Sequence, residues 1–293
     1  MDAICGFESK LLYGIRLEDG ADKVWDFELL KAGGVTETIK TNDKFRQNHP
    51  QQWMARMLSS VVDNIGGQPV YAEFKKSGFK DIPKPILQLS AADGGFLLAM
   101  GHMFTYGPEL DLGKQDCPHC GRKALVVLDL TQMRLLNQEQ KDSTEFRVDL
   151  PTGWYRPAPG DPAKRLTYHG KHWNTYFFRP PTIGDSITHE RHFTRTNTMN
   201  FFMRLLWAGL TRVESWEERV PGAGREKVDD LAQNFFNGLG LDLVDDLDSA
   251  DRMRIRKAML EIPRLDTDLA QECSACGEDI RFNLGVSEFF PLA

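Results

Sequence analysis

Two short cysteine hooks, Cys117-Pro118-His119-Cys120 and Cys273-Ser274-Ala275-Cys276, are the residues in this chain best suited to chemistry, and a glycine follows each (Gly121, Gly277). Four thiolates in two such pairs are the ligand set of a tetrahedral zinc ion, with Zn–S bonds of about 2.3 Å. The two-residue spacer lets both sulfurs of a hook face one metal. The glycine after it suits the left-handed turn that aims backbone N–H groups at sulfur. If Cys117, Cys120, Cys273 and Cys276 share one ion, the metal clips residues 117 and 276 together and belongs to the fold. Two other readings stay open: unligated thiols acting as small apolar residues, and a redox pair. A redox hook opens a helix, whereas here Cys117 follows the polar turn Gly113-Lys114-Gln115-Asp116 and leads into Ala124-Leu125-Val126-Val127-Leu128. The second hook repeats this, running into Ile280-Arg281-Phe282-Asn283-Leu284. Cys5 has no partner in this scheme.

The elements that must position the hooks are also paired. Leu89-Ser90-Ala91-Ala92-Asp93 precedes the first and Leu247-Asp248-Ser249-Ala250-Asp251 the second. Both read as helix starts, with Ser90 and Asp248 or Ser249 as caps. Phe96, Leu97, Met100, Met103 and Phe104 then form an apolar face that ends at Gly107; Met253, Ile255, Met259 and Leu260 follow the second cap. Earlier helices are expected from Pro50 to about Gly66, from Thr198 through Leu210, and from about Glu226 to Asn237, on helical spacing of apolar residues. The fold class expected is α+β, with more helix than strand. Two related helix–zinc-knuckle–strand halves, 1–136 and 137–293, are joined by a β segment rich in proline and aromatics.

In that joining segment, Phe146 to Pro151 and Tyr176 to Pro181 read as strands that stop at proline, and Pro157 to Pro162 as a loop. The N-terminal alternation through Leu11, Tyr13, Ile15 and Leu17, then Val24 and Phe27, predicts a hairpin. Trp154, Tyr155, Trp173, Phe289 and Phe290 are the expected exposed contacts for partners.

The 293 residues suffice for a large core, and a hydrophobic content of 41% with 27% charged residues is that of a soluble globular protein. A formal charge of −6 provides no overall attraction to nucleic acid or anionic membrane. No apolar run reaches a membrane span, and the first residues lack a signal peptide's basic and apolar regions. Four of five cysteines in CxxC pairs fit a reducing compartment.

Catalytic motifs are not found. His189-Glu190-Arg191-His192 lacks the i, i+4 histidine spacing of a zinc protease helix. Pro221-Gly222-Ala223-Gly224-Arg225 does not follow a strand as a dinucleotide loop does, and no nucleophile elbow exists. His169 and His172 read as solvated loop residues, His119 as a spacer within its hook, and His102 as part of a helix face. Arg191, Arg195, Arg204 and Arg212 interleave with Phe193, Phe201, Phe202 and Trp207, a mixture that stacking platforms for nucleic acid use. Helical spacing places those aromatics on the buried side. No enzyme is expected.

Asp93-Gly94-Gly95-Phe96-Leu97-Leu98, Phe104-Thr105-Tyr106-Gly107, Cys117-Pro118-His119-Cys120-Gly121 and Val127-Leu128-Asp129-Leu130 together resemble the baseplate-hub family of T-even-type contractile bacteriophages. Phe146 to Pro151, Phe178-Arg179-Pro180-Pro181-Thr182 and Ser287-Glu288-Phe289-Phe290-Pro291 add to the likeness, which covers pieces of residues 85–293. It does not extend to the first 80 residues. The resemblance implies a non-enzymatic structural protein of the phage tail baseplate, made in the host cytoplasm and carried in the virion. Its implied partners are other tail and baseplate proteins in a symmetric assembly, without membrane or nucleic acid. Structural zinc on Cys117, Cys120, Cys273 and Cys276 is the one cofactor expected. The alternatives are a tail assembly chaperone that leaves the particle and a zinc-ribbon nucleic-acid-binding protein.

Overall fold

The structure, a computed structural model, describes residues 3–4, 7–8, 10–17, 22–140, 143, 145–154, 156–158, 161–166, 172–190, 208–218, 225–232 and 247–284. It is mixed helix and strand, consistent with α+β, and the two occur in comparable measure rather than with helix dominant. Two compact units are present: residues 1–141, 182–187 and 263–293 form one, and 142–181 with 188–262 the other. Both hooks lie in the first unit. The expected halves were 1–136 and 137–293, and the C-terminal hook falls within the first unit.

In the first unit, Lys10–Ile15, Val24–Leu29, Val62–Ile65 and Gln68–Pro69 form a four-stranded antiparallel sheet in sequential order. The expected N-terminal hairpin is its first two strands. Helices Pro50–Val61 and Ala91–Tyr106 pack in the same core, where Trp53, Leu58, Phe96 and Leu97 are all but inaccessible. Ala91–Tyr106 is buried on nearly every side, more than the single apolar stripe predicted, which is how a central helix behaves. The helix starting at Pro50 ends at Val61, short of the expected Gly66. Val62 is extended and opens a strand in which Leu29 pairs with Val62 and Phe27 with Ile65. Consecutive β-branched residues favour that change of state.

In the second unit, Phe146–Trp154, Trp173–Phe178, Leu210–Glu218 and Arg225–Ala232 again form a sequential antiparallel sheet of four. Phe146 and Phe178 stack with ring centroids 5.4 Å apart. The strand from Phe146 runs past Pro151 to Trp154, with irregular register between Asp149 and Trp154 that accommodates the proline. Three other segments differ from the expectation. Arg225–Ala232 is a strand where a helix was expected, because Val213 and Leu231 pair across the sheet. Leu210 starts a strand instead of continuing a helix. Residues 156–158 and 161–166 pair as a small hairpin where a loop was expected. Helical positions 198–207 and 233–237 lie outside the described residues.

Each unit fastens a helix start to the first strand of its sheet in the same way. Ser90 Oγ caps Ala91–Tyr106 by accepting from the Asp93 N–H (3.0 Å), and Asp248 Oδ1 caps Ser249–Met259 by accepting from the Asp251 N–H (2.8 Å). Asp93 and Asp251 are fully buried. Asp93 accepts from the N–H groups of Leu12 (2.7 Å) and Tyr13 (2.9 Å); Asp251 accepts from Gly153 (2.6 Å) and Thr152 (3.4 Å). Both caps follow the predicted pattern.

Candidate metal centre

Each hook is the tip of a two-stranded hairpin. Glu109–Asp116 pairs with Lys123–Asp129, and Asp268–Glu272 with Asp279–Asn283, the last pairs before the tips being Asp116 with Lys123 and Glu272 with Asp279. The two tips close with the same hydrogen bonds. Cys117 N–H donates to Arg122 O and Gly121 N–H to Cys117 O; Cys273 N–H donates to Glu278 O and Gly277 N–H to Cys273 O; all four are 2.9 Å long. Gly121 at φ 68° and Gly277 at φ 77° occupy the left-handed region that the turn requires. The turn drawn from sequence alone is the turn found.

The tips meet. The Sγ atoms of Cys117 and Cys276 are 3.8 Å apart and those of Cys120 and Cys273 are 4.0 Å apart, and all four sulfurs lie within 4.8 Å of one another. A tetrahedron with metal–sulfur bonds of about 2.3 Å has edges of about 3.8 Å. The four thiols therefore lie where they could hold one metal ion. In each hook the first cysteine is buried and the second exposed.

Two side chains outside the hooks hold the hairpins side by side. Gln271 accepts from the Val127 N–H through Oε1 (2.7 Å) and donates from Nε2 to Leu125 O (3.2 Å), so its amide imitates a strand against Lys123–Asp129. His119 Nε2 lies 3.2 Å from Asp279 O in the other hairpin, consistent with a spacer whose ring serves contact. Cys117, Ala124, Cys273 and Ile280 form a small apolar cluster backed by Phe282, apart from the main core. Gln271 escapes sequence reasoning because its partners are distant in the chain and a strand glutamine carries no signal by itself.

The thiols differ in acidity. The N–H groups of Ala275 and Cys276 point at Cys273 and bring it down to about 7. For Cys276 the Glu278 N–H acts downward, but desolvation and the sulfurs of Cys120, Cys273 and Cys117 push it up to about 12. Four thiolates this close repel one another, and a bound cation is what would let them coexist.

Among the described residues, the remaining candidates do not join this centre. His102 packs against the Tyr106 ring with Nε2 3.2 Å from Glu109 O. His172 is half-buried beside the Thr152 carbonyl. His189 is in the helix Ile183–Glu190, while His192, His169, Arg191, Arg195, Arg204 and Cys5 lie outside the described residues. Trp173, expected as an exposed contact, is 1% exposed in the centre of its sheet. The side chain of Trp154, together with Tyr155, Phe289 and Phe290, is outside the description. Arg212, expected on a helix, is on a strand over the Phe177 ring and pairs with Glu145 at 2.9 Å. No helix among the described residues is long and apolar enough to cross a membrane. Comparison with protein-family models, with curated proteins and with solved structures finds no match.

Proposed function

We propose that this chain is a structural, non-enzymatic component of a contractile phage tail baseplate, in its hub region, with zinc on Cys117, Cys120, Cys273 and Cys276 as a folding element. The observation that carries the zinc assignment is the meeting of four sulfurs from two distant hairpin tips within 4.8 Å of one another. Sulfur-only ligation suits zinc, and a site saturated by four thiolates has no position for a substrate. The tail assignment is supported by the ordered segments that resemble the baseplate-hub family, with other tail and baseplate proteins as partners and the virion as its place.

The chain is further read as two related halves. Supporting this are the two sequential antiparallel sheets, the two capped helices with buried Asp93 and Asp251 on a first strand, and the two hooks with identical tip hydrogen bonds. Each half supplies two of the four sulfurs.

Mass spectrometry of purified particles tests the role. The chain is expected among virion components at a fixed ratio to other baseplate proteins. Its presence in infected cells and absence from finished particles would replace this reading with that of an assembly chaperone.

A further inference from the structure

We propose that the four-cysteine centre is also a redox switch, in which peroxide replaces the metal clip with two disulfides that cross from one hook to the other. This rests on the four-thiolate reading above and adds what the same sulfurs do on oxidation. Its basis is an asymmetry present in both hooks. Cys117 and Cys273 are 2% and 1% exposed, while Cys120 and Cys276 face solvent. A solvent-borne oxidant therefore reaches Cys120 and Cys276 first. Each of these touches the buried sulfur of the opposite hook: Cys120 touches Cys273 at 4.0 Å, and Cys276 touches Cys117 at 3.8 Å. An exposed sulfur beside a protected resolving thiol is the arrangement a reversible thiol switch needs.

The steps balance as follows. The Cys120 thiolate attacks one oxygen of hydrogen peroxide; the O–O bond breaks, giving a sulfenic acid and hydroxide. The Cys273 thiolate then attacks the Cys120 sulfur, forming S–S and expelling a second hydroxide. The sulfur pair loses two electrons and the peroxide gains them. Cys276 and Cys117 repeat the sequence with a second peroxide. Once all four thiolates are consumed, no ligand remains to retain a cation. Disulfide sulfurs lie about 2.05 Å apart, so each pair must close by roughly 2 Å. Cross-hook bonds keep residues 117 and 276 tied together after the metal leaves. Bonds within a hook would open the clip. A protein assembled in reducing cytoplasm and then exposed to an oxidising exterior would thus keep its connection in both settings.

The test uses the full-length, metal-loaded protein titrated with hydrogen peroxide at neutral pH. Metal release is followed with a chromophoric chelator, free thiols by alkylation, and disulfide partners by non-reducing peptide mapping. Metal release should track the loss of four thiols, and the linked peptides should be Cys117 with Cys276 and Cys120 with Cys273. Dithiothreitol and zinc should restore the starting state. Disulfides within hooks, or sulfinic acid at Cys120 and Cys276 without any disulfide, would overturn the proposal. Metal analysis of the reduced protein separates the two claims: a reduced chain without bound metal would end the zinc assignment, while the disulfide map would still decide this one.

Discussion

At the residue scale, the thiols and the fully buried carboxylates Asp93 and Asp251 are tied to distant parts of the chain. Replacing Cys273 with serine leaves three of the four sulfurs. Since structural zinc in small domains contributes on the order of 10 kcal/mol, losing one ligand should lower stability by several kcal/mol, seen as a large fall in thermal midpoint. A Cys273→Ser protein as stable as the parent would speak against a structural ion. Asp93 makes a second prediction. Burial pushes its pKa from 3.8 up to about 6, against the pull of the Tyr13 and Leu12 N–H groups and the Ser90 hydroxyl. A raised folded-state value means that the folded chain holds this proton more tightly. The stabilisation by protonation is full below 3.8 and is lost as pH rises through about 6. Between pH 7 and pH 5 the parent should therefore gain about 1 kcal/mol relative to Asp93→Asn in urea titrations. Asp93→Ala should cost more than Asp93→Asn at either pH, by about 2 kcal/mol, because it strands two buried N–H groups. The hooks and the caps were legible in the sequence because each is a local pattern. The carboxylates' bonds to strands 80 and 98 positions away were not.

Among the elements, those with strong local signatures came out as read: the N-terminal hairpin, the helix after Ser90 ending at Gly107, the helix after Asp248, and both knuckle hairpins. Arg225–Ala232 was misread because Val228 and Leu231 are three apart, a helical spacing that pairing with Leu210–Glu218 overrides. Val62 fits the preceding helix by its spacing for the same reason: its apolar side chain serves either state, and pairing with Leu29 decides for strand. Gly153 illustrates a requirement set wholly by tertiary packing. Its φ is 70°, and a Cβ there would come within 2.4 Å of the Trp173 carbonyl oxygen while its N–H serves Asp251. Gly153→Ala should destabilise by about 2–3 kcal/mol in chemical denaturation. A neutral outcome would mean that this strand end is far looser than described.

At the scale of the whole molecule, the sequence pattern of two hooks became one four-sulfur cluster, and this pairing explains why the C-terminal hairpin belongs to the unit built mainly from the first 141 residues. No periodicity reports which distant segments meet; the ligand count does, since two thiolates alone leave a zinc ion unsaturated. Removing the metal from the reduced protein should therefore loosen the hairpin pair before the sheets. Hydrogen exchange should rise first at residues 109–129 and 268–283. The most direct measurement is metal content and thiol protection on the same purified, reduced chain. One zinc per chain is predicted, with Cys117, Cys120, Cys273 and Cys276 resistant to alkylation until a chelator is added. A metal-free chain whose four thiols alkylate at once, with unchanged stability, would contradict the account.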